Sequence, residues 1–172
     1  CGSVTPHDEV ISGQPQWRTL LDIDAMSKAD NKKWVFKDST CLSPAYVDCM
    51  VSLSNGGGDA VEVREFDLAK AAFIPNGFFL PNAKSEVSWA NPDALFVGTD
   101  FGPGTLTDSG YARVVKVWKR GTPLVAATKL AEGQTSDVSV NARSMVDGDR
   151  TWPILTRAVD FYHHKVWHIA PD

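Results

Sequence analysis

Gly98-Thr-Asp-Phe-Gly-Pro-Gly-Thr-Leu-Thr-Asp-Ser-Gly-Tyr-Ala-Arg-Val-Val-Lys-Val-Trp-Lys-Arg-Gly-Thr-Pro123 is the stretch on which the fold turns. A loop containing Gly102, Pro103, Gly104 and Gly110 runs into a segment where Tyr111, Arg113, Val115 and Val117 occupy every second place. The segment stops at Arg120-Gly-Thr-Pro123. A period of two marks a strand with two unlike faces, and Gly and Pro at both ends are the turn chemistry that bounds it. The same grammar recurs upstream. Asn55-Gly-Gly-Gly-Asp59 supplies the positive-φ positions of a hairpin turn. After it, Val61, Val63 and Glu65 alternate with Glu62, Arg64 and Phe66.

From Lys33 onward short runs rich in Val, Phe, Trp and Thr are separated by Gly, Pro, Asn and Asp, the pattern of an all-β chain. Strands are predicted over 33–37, 39–43, 47–54, 59–67, 85–90, 94–99, 111–118, 124–131, 136–142, 151–158 and 161–169. Only Asp24 to Asn31 reads as a helix, with Asp24 or Ser27 as its cap. Residues 1–16 are polar and carry Pro6, Gly13 and Pro15, which suits an arm or linker. Three segments resemble one another: Ser39-Thr-Cys-Leu-Ser-Pro44, Ser85-Glu-Val-Ser-Trp-Ala-Asn-Pro92 and Ser136-Asp-Val-Ser-Val-Asn141. Aligned on Leu42, Trp89 and Val140 they repeat at about 50 residues, the length of a four-stranded propeller blade. The expected fold is a partial β-propeller over 17–172, of two to three antiparallel four-stranded blades near 33–75, 83–131 and 136–170, with one short N-terminal helix. A β-sandwich has similar spacing and stays open as an alternative. An arc of so few blades leaves sheet faces and edges uncovered, so it implies either a piece of a longer protein or association of copies.

The 172 residues are 43% hydrophobic and 22% charged, ordinary for a globular domain. A net charge of −4 gives no reason to expect nucleic acid or an anionic membrane surface, and no apolar run approaches membrane-spanning length. Lys116, Lys119 and Arg120 read as a solvated basic cluster. Cys1 suits either an acylated first residue or an incidental starting point. With three cysteines there is no disulfide framework, so Cys41 and Cys49 read as free buried thiols, although a hairpin would bring them near one another. That usage leans towards a reducing compartment such as the cytoplasm, with the periplasm and secretion left open.

In order along the chain stand Trp17-Arg-Thr-Leu-Leu-Asp-Ile-Asp24, Val51-Ser-Leu-Ser-Asn-Gly-Gly-Gly-Asp59 leading into Val61–Leu68, and Ala83-Lys-Ser-Glu-Val-Ser-Trp89. Leu95-Phe-Val-Gly-Thr-Asp100 and Val114-Val-Lys-Val-Trp-Lys-Arg-Gly-Thr-Pro-Leu124 follow. Together these stations resemble the N-terminal β-propeller of the prolyl oligopeptidase family of serine peptidases, in its bacterial branch, over roughly residues 14 to 135. The resemblance implies a division of labour in which the propeller admits and orients short peptides while a separate α/β-hydrolase domain cleaves them.

No Gly-x-Ser-x-Gly elbow occurs in the sequence, and Ser109 in Asp108-Ser-Gly110 lacks the strand-to-helix setting of one. No catalytic triad is carried over, so no enzyme activity is expected of these residues by themselves. Asp100-Phe-Gly102 has no accompanying phosphate loop or catalytic loop, and Gly102-Pro-Gly104 has no Gly-Lys-Ser/Thr ending. His163, His164 and His168 are the only metal-like group; on a strand His163 and His164 point apart, and no metal or cofactor is expected. Asp22/Asp24 and Asp147/Asp149 read as turn formers. Loop 100–110, with an aromatic residue at either end, is the best candidate for contact with a ligand. The family resemblance makes Phe96, Asp100, Phe101, Tyr111 and Arg113 the candidate substrate-facing residues. The implied partners are the hydrolase domain, short peptides and a second copy docked through open blade faces. The alternative function is a stand-alone, self-associating binding module.

Overall fold

The computed structural model describes residues 17–148 and 150–170; the expected arm over 1–16 lies outside them. One helix, α1 (Ile23–Asp30), precedes twelve strands. Asp22 caps the helix by accepting a hydrogen bond from the Ala25 amide at 2.9 Å, two residues ahead of Asp24 and five ahead of Ser27, the caps expected from sequence. Asn31 closes it in the left-handed conformation at φ 50°, a place asparagine tolerates.

The strands form three antiparallel sheets. The first contains β1 (Trp34–Cys41), β2 (Asp48–Asn55), β3 (Val61–Asp67) and an outer strand split into β4 (Ala72–Phe73) and β5 (Phe79–Ala83), both paired with β3. The second runs β6 (Glu86–Asn91), β7 (Ala94–Gly98), β8 (Val114–Lys119) and β9 (Thr128–Glu132), with a single 3-10 turn at Leu124–Ala126 before β9. The third is β10 (Ser139–Asp147), β11 (Arg150–Ala158) and β12 (His164–His168). Successive sheets open at Trp34, Glu86 and Ser139, a repeat of about 50 residues as a blade requires. A bulge between Phe36 and Asp38 breaks the alternation of β1, which is why the sequence suggests two segments there. The outer strand of the first sheet carries Pro81 at an edge, where its missing amide costs nothing, and so leaves little alternating signal.

The layers stack in chain order. Ile23 and Met26 of α1 pack with Trp34, Val51, Leu53 and Phe66 on one face of the first sheet. Its other face meets the second sheet through Met50, Val63, Leu80, Trp89, Leu95, Val97 and Trp118. Phe78 lies edge-on to Trp89 and Trp118 there, with ring centroids 6.0 and 4.9 Å away. Phe96 and Val115 of the second sheet close on Val140, Ala142 and Leu155 of the third. The far face of the third sheet carries Met145, Trp152 and Val166, all exposed, and among the described residues nothing covers them. The architecture is an unclosed arc of a β-propeller.

β1, β6 and β10 are the inner edges of the three sheets, and side chains tie them together. Trp89 donates its indole N–H to the Thr40 carbonyl at 2.9 Å. The Ser144 amide donates to Ser88 Oγ at 3.1 Å, and Ser144 Oγ donates to the Trp89 carbonyl at 2.7 Å. The chain enters β1, leaves β5, enters β6, leaves β9 and enters β10 at one and the same end of the arc. We call this end the entry rim; it also carries the turn after β2, loop 99–113 and the β11–β12 turn.

Cys41 and Cys49 face each other across the β1–β2 ladder and are joined by a disulfide. This corrects the free-thiol reading. Eight residues of spacing do not tell a reader whether two cysteines fall in register, because that depends on the turn between them.

Candidate functional site

The three similar segments overlap the inner strands. Lys37, Asp38 and Thr40 of β1, Ser85 to Ser88 at β6, and Asn141 to Ser144 of β10 line one cleft of about 530 Å³ with Ser52, Asp59 and Val61. Its walls are polar because Lys37, Asp38, Ser52, Asp59, Glu86, Asn141 and Arg143 stand among them. Glu86 lies where β6 and β10 converge. The residue keeps contact with solvent, yet partial desolvation by the surrounding strands pushes its carboxyl above the usual range, while a hydrogen bond with Asn141 and the charge of Arg143 pull the other way. Ser85 Oγ and Thr99 Oγ1 share a hydrogen bond of 2.6 Å at the cleft mouth.

The entry rim edges this cleft. Asp59 accepts a hydrogen bond from the Tyr111 hydroxyl at 3.3 Å and lies 4.0 Å from Lys84 Nζ. That ammonium stands 4.2 Å from the centre of the Tyr111 ring and donates to the Ser109 carbonyl at 3.1 Å. The Asp59 charge raises the Tyr111 phenol above its ordinary value, with burial acting in the same direction. Loop 99–113 is thus fastened to the turn of the first sheet at the lip of the cleft.

Of the five residues named from sequence, Tyr111 alone gives a side-chain hydrogen bond to a lining residue of this cleft. Asp100 turns its carboxylate back to the Gly102 amide at 2.8 Å and holds the loop's own bend. Phe101 packs against the core between the first two sheets, with Lys116 Nζ 4.2 Å from its ring centre. Arg113 binds the carbonyls of Gly104 and Gly133 and the Glu132 carboxylate, clamping loop to sheet. Phe96 is 6% exposed, in the core between the second and third sheets. Glu86, Asn141 and Arg143 were not singled out by the sequence. Glu86 and Asn141 stand inside two of the three similar segments, but a repeat reports equivalence and not direction; Arg143 lies beyond the third segment.

Two ion pairs, each on a buried carboxylate, brace this framework. Glu65, 1% exposed, accepts both guanidinium nitrogens of Arg120 at 2.8 and 2.9 Å and the Phe78 amide at 2.8 Å. Arg120 therefore corrects its reading as part of a solvated basic cluster. Asp137 accepts from Arg157 at 2.6 and 3.0 Å and from the Gln134 amide. Burial works to raise the Asp137 carboxyl, but those hydrogen bonds and the Arg157 charge outweigh it and leave it lowered. Ser109 Oγ has Thr107 and the Val138 carbonyl as neighbours, neither of them a base. Among the described residues no three His, Cys, Asp or Glu side chains group as metal ligands, and no helix is long and apolar enough to cross a membrane.

Comparison with known proteins agrees with this architecture. The prolyl oligopeptidase N-terminal β-propeller domain matches residues 4–170. An uncharacterized peptidase of Sinorhizobium fredii is 45% identical over 164 residues, which is 94% of this chain and 23% of that protein. An uncharacterized peptidase of Rickettsia prowazekii is 27% identical over 168 residues, covering 91% of this chain and 23% of its own length. Among solved structures, a post-proline cleaving enzyme from Rickettsia typhi superposes with a TM-score of 0.85 at 26% identity, over 94% of this chain and 25% of that one. A chain from a study of two prolyl endopeptidases shares the fold, with a TM-score of 0.58 at 18% identity over 91% of this chain and 23% of that one. This chain spans about a quarter of the length of each of these relatives. It belongs to the prolyl oligopeptidase family, as the N-terminal β-propeller domain.

Proposed function

We propose that this chain is the substrate-admitting part of a prolyl oligopeptidase-like serine peptidase and holds no catalytic group of its own. In this reading it passes short peptides to an α/β-hydrolase domain and orients them. The observation that carries the reading is the polar cleft formed jointly by the inner strands of three blades. A peptide backbone needs hydrogen-bonding partners along its length, and Lys37, Asp38, Asn141 and Arg143 supply them on the wall. Topology supports where the partner domain sits. A blade with an even number of antiparallel strands takes in and releases the chain at one end, so a domain tethered to this arc docks on the entry rim. There Phe161 and Tyr162 stand 84% and 91% exposed on the β11–β12 turn, which Asp160 holds by accepting from the Tyr162 and His163 amides at 2.8 Å. Family membership adds the reaction class, and the sequence adds the lack of a Gly-x-Ser-x-Gly elbow.

The test is a length series of proline-containing peptides cleaved by a full-length peptidase carrying this propeller, with Glu86→Gln and Arg143→Ala in the cleft. Changed kcat/KM ratios between short and long peptides, with the shortest chromogenic substrate unaffected, are expected. Ratios identical to the parent's would overturn the cleft as the filter.

A second reading, a self-associating module, is favoured by one observation: the uncovered Met145, Trp152 and Val166 face of the third sheet. Because α1 already packs on the first sheet, two copies would meet third sheet to third sheet and not head to tail.

A further inference from the structure

We propose that Cys41–Cys49 is a site of reversible thiol–disulfide exchange, opened by a dithiol reductant that attacks at Cys41 while the fold stays intact. The cross-link joins two residues that the β1–β2 ladder already holds opposite each other. β2 is held on its other side by β3, through a register running from Asp48–Asp67 to Leu53–Glu62. The bridge closes a loop of sequence separation 8, and loops that short give up little chain entropy when they close. Backbone pairing and the apolar layers therefore keep β1 and β2 in place whether or not the sulfurs are bonded.

Access is lopsided. Cys49 is 1% exposed, whereas Cys41 is half-buried and lies on two separate clefts. One, of about 250 Å³, runs beneath Leu20, Leu21 and Phe36; the other, of about 230 Å³, lies between β1 and β6 beside Trp89 and Pro92. Both cysteines line the first cleft, but Cys49 keeps only 1% exposure and Cys41 alone borders the second, so a reductant meets Cys41 first.

The step balances as an exchange. A thiolate of the reductant attacks Cys41 Sγ, a mixed disulfide forms, and Cys49 Sγ leaves with the bonding electrons and takes up a proton. The reductant's second thiol then attacks its own sulfur in the mixed disulfide, releasing the Cys41 thiol and a disulfide in the reductant. Two electrons enter the chain and the reductant is oxidised by two. The reduced pair sits among Leu20, Leu21, Phe66 and Leu68, apolar neighbours that favour neutral thiols. Thr40, whose carbonyl receives the Trp89 indole, is the residue next to Cys41, so the exchange site adjoins a tie between the first two blades.

The experiment uses the folded chain with Cys1→Ser, so that only two cysteines remain, and a thioredoxin-type protein whose resolving cysteine is replaced by serine. In the absence of denaturant the expected result is one mixed disulfide, mapped by peptide mass spectrometry to Cys41. Dithiothreitol should then yield two thiols, counted by alkylation after an acid quench and unfolding, with the far-ultraviolet circular dichroism unchanged before the quench, and oxidised glutathione should restore the bond. Three results would each overturn the proposal: trapping at Cys49, reduction that begins only once urea unfolds the chain, or two free thiols in the protein before any reductant is added.

Discussion

Arg120 leaves the turn after β8, crosses the face of Phe78 at 4.6 Å, and ends on a carboxylate with almost no solvent of its own. Removing the guanidinium leaves Glu65 buried with only the Phe78 amide as partner. Arg120→Ala is expected to lower unfolding free energy by about 2–4 kcal/mol in guanidinium titrations. Glu65→Leu combined with Arg120→Met should recover much of that loss, because an apolar pair leaves no charge stranded. Glu86 behaves oppositely. Its carboxyl titrates higher in the folded chain than the ordinary 4.5. Its stabilising contribution is therefore full below that value and disappears as pH rises through the folded one. Glu86→Gln should flatten the dependence of Tm on pH above 4.5 and leave the protein no less stable at neutrality; a steeper profile would contradict the assignment. Neither residue's role was legible in the sequence. Glu65 and Arg120 stand 55 positions apart, and a cation beside Lys116 and Lys119 looks like one more surface charge.

Elements were easier to read than their partnerships. Alternation and turn residues are local, so α1 and the strands around the Gly-rich turns could be placed from the chain itself. The outer strand of the first sheet could not, since β4 has two residues and the loop between it and β5 dips inward to bury Phe78. Gly77 permits that dip: a Cβ there would stand 2.7 Å from Glu65 Oε2. The disulfide was hidden for a related reason, as register follows from a turn's geometry and cysteine spacing carries none of it. At this scale the inner-strand ties are open to test. Trp89→Phe removes the N–H given to Thr40, leaving that carbonyl unpaired, and also takes part of a buried ring system out of the core. The expected cost is about 2–4 kcal/mol in thermal or chemical unfolding. Gly133→Ala is expected to cost about 2–3 kcal/mol in the same assay, because the added carbon meets Asp137 Oδ2 and Val140 Cγ2 at 2.5 Å.

For the whole molecule, the stack of helix and three sheets is covered on one side and bare on the other. Met145, Trp152 and Val166, with His168 edge-on to Trp152 at 5.6 Å, form an apolar sheet face with no described neighbour. Light scattering over a concentration series is expected to give masses above 18.7 kDa that return to this value in Trp152→Lys/Val166→Lys. Concentration-independent monomer mass in the parent chain would show that this face does not associate by itself. The sequence announced an arc with exposed faces, yet which face stays bare depends on α1. That helix's apolar residues, Ile23 and Met26, gave no hint from sequence of the sheet they cover.

The shared point of entry and exit carries one more consequence. Because the first two blades each begin and end on the same rim, a blade is a cassette: duplicating or deleting one alters the circumference of the arc but leaves the chain's direction of travel and its attachment side untouched. Descent by tandem copying can then vary how wide an opening such a protein encloses without ever rebuilding the junction to whatever lies against that rim.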